Sequence, residues 1–129
     1  GGREFEPIYQ ALTQALLADG HEIPTAHLAD ASVLELEAKV SARQVFDRDL
    51  TWIAAADALL AEVSVPSHGV GYEIGCALAA DKPVLCLSQH GRKVSKMITG
   101  NPHPRLTILT YQDSPEAVRL ARQFLNGLL

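Results

Sequence analysis

Glu73 closes the segment Pro66-Ser67-His68-Gly69-Val70-Gly71-Tyr72-Glu73, where two glycines and a serine lead into an acid. Gly69 and Gly71 have no side chains, so backbone at these positions can approach a ligand closely. A helix starting here would present unpaired N–H groups and a partial positive charge, which suit a phosphate. Ser67 can serve as the helix cap or as a phosphate donor. A Glu one turn further in would reach a sugar whose phosphate rested on that loop. The plain alternatives are an acid placed to favour the helix dipole and glycines placed for close packing. Two glycines and a serine are poor helix formers, however, and their cost asks for an offset.

Asp49 is the second carboxylate. It follows Phe46 by three residues and precedes Ile53 by four, so it projects from an apolar stripe and must find a partner or line a cavity. An ion pair with Arg43 or Arg48 is its structural alternative. Asp47 fits the solvated face, and Asp57 a turn between helix and strand. Two acids in different surroundings at one phosphate-binding mouth suit cleavage of a glycosidic bond. One stabilises or attacks the anomeric carbon while the other manages a proton. His27 could protonate a leaving base, and Ser95, with Arg92 nearby, could donate to a phosphate or simply cap a helix. Trp52 reads as core. His68, His90 and His103 share no ligand spacing with Cys or acids, so no metal is assigned, and nothing in the sequence calls for a cofactor. Cys76 and Cys86 read as reduced core residues.

The elements that must hold these side chains follow from periodicity. A helix runs from Pro7 to Ala18 and stops at Asp19-Gly20, and a short extended piece covers His21 to Thr25. Ala26 to Val40 reads as a loop with a helical piece around Leu34 to Lys39. Ser41 caps a helix reaching about Ala56, with Val45, Phe46, Leu50 and Ile53 on one stripe. Ala58 to Val63 is a buried strand, a helix begins near Gly69 and stops at Asp81-Lys82-Pro83, and Val84 to Leu87 is a second buried strand. Ser88 to His103 is polar, with one helical turn from Val94 to Ile98. Arg105 to Thr110 is a strand, and Ser114 caps a terminal helix to Leu128. Alternating strands and helices predict an α/β domain built on a parallel sheet covered on both faces.

Composition narrows the partners. The 129 residues are 47% hydrophobic with a net charge of −4, enough for one core in one domain and without a basic footprint for a nucleic-acid polymer. No apolar stretch approaches the roughly 20 residues of a membrane span, and no charged-then-apolar leader opens the chain. The expectation is a cytoplasmic protein acting on a small molecule.

The sequence resembles the 2′-deoxynucleoside 5′-phosphate N-hydrolases of the nucleoside 2-deoxyribosyltransferase superfamily. The matching segments are Gly1-Gly2-Arg3-Glu4, Asp49-Leu50-Thr51-Trp52-Ile53, Ala56 through Val63, Pro66-Ser67 through Gly71-Tyr72-Glu73-Ile74-Gly75, and Gly91 through Ile98. They span most of the chain in the right order. The resemblance implies that Glu73 is a nucleophile forming a covalent 2-deoxyribosyl 5-phosphate intermediate. It also implies that Asp49 assists base departure and water attack, with His27 near the base. Ser67 and the backbone of Gly1-Gly2-Arg3, Gly69 and Gly71 would hold the phosphate, and Ser95 would reach the phosphate of a neighbouring subunit in a homodimer. The implied fold is a Rossmann-like (flavodoxin-like) parallel sheet of about five strands flanked by helices. That family's first strand has no counterpart ahead of Gly1, which points to an incomplete sequence. His68 replaces an apolar residue, and the acidic stretch Asp30 to Lys39 replaces a glycine-rich loop. Competing readings are a nucleoside 2-deoxyribosyltransferase, a ribonucleotide (cytidylate) N-hydrolase and a non-catalytic nucleotide sensor.

Overall fold

The computed structural model describes residues 3–24 and 40–128, without the side chain of Arg3. A 3₁₀ turn, Arg3–Phe5, leads into α1, Glu6–Ala18, which has Pro7 in its first turn and ends at Asp19 and the left-handed Gly20 (φ 92°). Then come α2, Ala42–Ala55, β1, Leu59–Glu62, α3, His68–Ala79, and β2, Val84–Gln89. A single turn α4, Lys96–Thr99, precedes β3, Leu106–Tyr111, and α5, Ser114–Asn126.

The three strands pair in parallel in the order β1-β2-β3, in register from Leu59 opposite Val84 and Val84 opposite Leu106. Side chains alternate between two cores, as strand pleat requires. Ala61, Val63, Val84 and Cys86 meet Ile53 of α2 and Ile74, Ala77 and Leu78 of α3 on one face. Leu85, Leu87 and Tyr111 meet Leu16 of α1 and Ala117 and Ala121 of α5 on the other. Arg122 of α5 grips Asp19 with two hydrogen bonds, 2.7 and 3.1 Å, fixing the end of α1.

The parallel α/β class was legible, but the expectation of about five strands is corrected to three among the described residues. The extended piece expected from His21 adds none: residues 21–23 carry no strand pairing, and Pro24 has no N–H to give a ladder. Thr25 and the expected helical piece at Leu34 to Lys39 lie outside the described residues. Two local expectations also change. Asp113, not Ser114, caps α5: its carboxylate accepts from Glu116 N at 3.0 Å, while the Glu116 carboxylate accepts from Gln112 N at 2.7 Å. Phe46 leaves the apolar stripe of α2 and is 46% exposed, because the stripe is anchored by Leu50 and Ile53, further along the helix.

Candidate active site

The site is built where α2 and α3 lie side by side. A reciprocal capping box starts α2: Ser41 Oγ accepts from Gln44 N at 3.1 Å, and Gln44 Oε1 accepts from Ser41 N at 3.0 Å. Its far end is held by Lys82, whose Nζ donates to the Ala54 carbonyl at 3.2 Å from the turn after α3, where Asp81 takes a left-handed conformation (φ 58°). Ser67 begins α3, accepting from Val70 N at 3.3 Å. Val70, Ile74 and Ala77 bind α3 to the sheet, and Glu73 borders that stripe at i+3 from Val70 and i−4 from Ala77. It is half-buried there, on the side of the helix turned towards α2.

Glu73 and Asp49 meet there. The Glu73 carboxyl is pushed up from 4.5 to about 7, first by burial, then by the charge of Asp49 and hydrogen bonding to it, against the opposing pull of Arg48. The Glu73 carboxyl therefore keeps its proton in part up to near neutral pH. Asp49 also accepts from Arg48 Nε at 2.9 Å, so the ion pair weighed as an alternative to a catalytic role is present together with the acid pair. Arg43 is engaged by Asp47, 2.9 and 3.0 Å from its Nε. Trp52 is half-buried, and its ring carries the Arg48 guanidinium 4.7 Å from the centroid.

The phosphate-suited residues lie at the start of α3. A Cβ built on Gly69 or Gly71 meets no heavy atom within 4 Å, so packing against the rest of the fold does not require glycine at either position. Ser67, His68, Tyr72, Lys93, Ser95 and Met97 are among the residues lining a groove of about 540 Å³ beside this helix. Ser95 caps α4, accepting from Met97 N at 3.2 Å, and so borders the same groove as Ser67 of its own chain. Arg92 is occupied elsewhere: it pairs with Glu4 at 3.1 Å and lies 5.0 Å over the ring of the buried Phe5. It thereby ties the loop after β2 to the turn that follows Gly2. His27, Gly1 and Gly2 lie outside the described residues.

Sequence reasoning passed over Glu62. Strand alternation turns it inward on the α1/α5 face, where it is 5% exposed and accepts from the backbone N and Oγ of Ser64 and from the Tyr111 hydroxyl. Ser64 Oγ in turn accepts from Gln89 N at 2.8 Å. The network joins the ends of all three strands just before Pro66-Ser67. An acid closing an otherwise apolar strand was the available signal. Burial and the hydrogen bond to Glu62 together push the Tyr111 hydroxyl well above its usual range.

A parallel α/β scaffold with Glu73 and Asp49 brought together beside an open, glycine-bearing helix start defines an α/β protein with two neighbouring carboxylates. The profile of the nucleoside 2-deoxyribosyltransferase family matches residues 2–116, and the chain belongs to that family. It is 38% identical, over 99% of its length and 80% of the other's, to a Methanosarcina mazei protein provisionally named 2′-deoxynucleoside 5′-phosphate N-hydrolase 1. It is 39% identical to the 5-hydroxymethyl-dUMP N-hydrolase of Rattus norvegicus, over 96% of this chain and 78% of that one. Among solved structures, a Clostridium botulinum CMP N-glycosidase, BcmB, superposes with a TM-score of 0.76 over 95% of this chain and 92% of its own, at 21% identity, a likeness of fold.

Proposed function

We propose that the protein hydrolyses the N-glycosidic bond of nucleoside 5′-monophosphates, 2′-deoxynucleotides foremost, giving free base and sugar 5-phosphate. The observation that carries this is the half-buried Glu73 set beside Asp49, whose charge acts on it. Glycosidases that place a water between their two acids hold them roughly 6.5–9.5 Å apart, whereas those that attack directly bring them closer. Two acids close enough to act on each other as Glu73 and Asp49 do favour direct attack. In this reading a Glu73 oxygen bonds to the anomeric carbon as the carbon–nitrogen bond breaks, and the electron pair leaves with the base. Asp49 delivers the pair's shared proton to the departing base. It then takes a proton from the water that attacks the same carbon, and Glu73 leaves with its electron pair. His27 is proposed to assist near the base. The open Gly69 and Gly71 backbone, Ser67 and the Gly1-Gly2-Arg3 segment are proposed to hold the phosphate. The names of the relatives support the same reaction class.

The finer assignments belong to the same proposal. Tyr72, Met97 and Phe46 are 58, 85 and 46% exposed, with the Tyr72 and Phe46 rings 6.2 Å apart. This apolar rim beside the groove supports a homodimer, and Ser95, which borders its own chain's groove, is proposed to reach the neighbouring site as well. A phosphorylated nucleotide as substrate fits a cytoplasmic protein. Among the described residues no helix is long and apolar enough to cross a membrane.

Incubation with deoxynucleoside monophosphates, ribonucleotides, or a nucleoside with a second base, resolved by chromatography, tests the reaction. Free base without an acceptor is expected. Base exchange alone would make the protein a transferase, and binding without release a sensor. Mixing inactive Glu73→Ala with impaired Ser95→Ala tests the shared site: heterodimers should regain activity if Ser95 acts across the interface, and gain none if it acts within its own chain.

A further inference from the structure

Arg48 has no place in the chemistry described so far, yet it pairs with one acid of the site and its charge acts on the other. Its Nε lies 2.9 Å from Asp49 Oδ1, and both side chains are about three-quarters buried, at 25 and 23% exposure. Its guanidinium is seated on Trp52, one turn along the same helix. Side chains of neighbouring residues on a helix diverge, so Arg48 must fold back to meet Asp49, and the indole face supports it in that course.

The other charged groups among the described residues around Glu73 do not supply this charge. From α2, Arg43 and Asp47 are exposed and satisfy each other. From α3 itself, His68 is exposed at the helix start. On β1, Glu62 turns to the opposite face of the sheet, and the neighbouring positions Ala61 and Val63 are apolar. On β2, Val84 is apolar and the Cys86 thiol is pushed up to about 11 by burial, so it stays neutral. Among the described residues, Arg48 is the cation placed against the acid pair.

We infer that Arg48 is a positioning residue of the reaction: seated on Trp52, it aims Asp49 at Glu73 and sets the pH window in which the pair carries a single proton. This rests on the reading of Glu73 and Asp49 as nucleophile and proton carrier. That chemistry needs one carboxylate ionised to attack and one protonated to assist the base. Two negative charges leave no acid, and none leaves no nucleophile. A cation at Asp49 favours the ionised states, so it lowers the pH window in which the singly protonated pair exists. Removing Arg48 should move that window upward as a whole, whichever carboxylate holds the proton.

The test combines a binding-independent titration with turnover. In protein labelled with ¹³C at Asp and Glu carboxyl groups, the Glu73 signal, assigned by its loss in Glu73→Gln, is titrated in the wild type, Arg48→Gln and Arg48→Lys. Arg48→Gln should move the transition up by about half a pH unit or more, and Arg48→Lys should restore most of it. The pH profile of base release from a mixture of dAMP, dGMP, dCMP and dTMP should move in parallel. An unmoved carboxyl transition in Arg48→Gln would overturn the assignment of Arg48. Full turnover by Glu73→Gln would overturn the reading of Glu73 instead, so the two failures are distinct.

Discussion

Glu73→Gln keeps the side chain's shape and can still hydrogen-bond Asp49, now as an amide donor, but it carries no charge. In the unfolded chain the Glu73 carboxyl ionises near its ordinary 4.5, whereas in the folded protein it does so near 7. Between those values the unfolded chain has lost a proton that the folded protein keeps. Rising pH therefore favours unfolding, and the penalty is complete above the folded value. A shift of that size is worth at most about 3 kcal/mol, and partial exposure of the site reduces it to about 1–2 kcal/mol. The glutamine variant escapes the penalty. Its stability relative to the wild type should therefore improve by about 1–2 kcal/mol between pH 5 and pH 8. Urea unfolding at the two pH values, followed by the fluorescence of the single Trp52, measures this, and taking the difference between proteins cancels most other titrations. A difference that does not change with pH, or one that favours the wild type at pH 8, would refute a carboxyl destabilised by burial and by Asp49.

Other outcomes follow from the same geometry. Asp49→Asn should lower kcat by about 10²–10⁴, the usual worth of a positioned acid–base group, while calorimetry still shows monophosphate binding. Gly69→Ala or Gly71→Ala should stabilise the fold by up to about 1 kcal/mol, since a methyl at either position meets nothing, yet raise KM for the monophosphate several-fold. Tyr111→Phe leaves a buried Glu62 oxygen without one of its donors and should cost about 1–3 kcal/mol in denaturant unfolding, with kcat little changed.

Much of this arrangement was legible because its signals are local. Ser41, the Asp19-Gly20 stop and the apolar runs at Leu59 and Val84 announce their elements by cap, turn and period, and strand–helix alternation then requires a parallel sheet. Asp49 stood out because its position conflicted with the apolar pattern around it, and Glu73 because of the glycines before it. What the sequence withheld depends on side chains meeting across elements. Arg48 and Arg43 are equally plausible partners for Asp49 on a helical wheel, and only the fold shows Arg43 committed to Asp47. Arg92 looked free for a phosphate until Glu4 and Phe5 came to lie against it. Glu62 read as the end of a strand, because Tyr111 is 49 residues away in sequence. The count of about five strands belonged to the family resemblance, whereas the chain's own pattern marked the three strands around Leu59, Val84 and Leu106 that pair among the described residues.

The central claim is that Glu73 forms a bond to the sugar. Wild-type protein mixed with excess deoxynucleoside monophosphates, quenched in acid during turnover and digested, should yield the peptide containing Glu73 with the added mass of a 2-deoxyribose 5-phosphate residue. That adduct should be absent from Glu73→Gln. Steady release of free base with no adduct on Glu73, or with the adduct on another residue, would contradict the account.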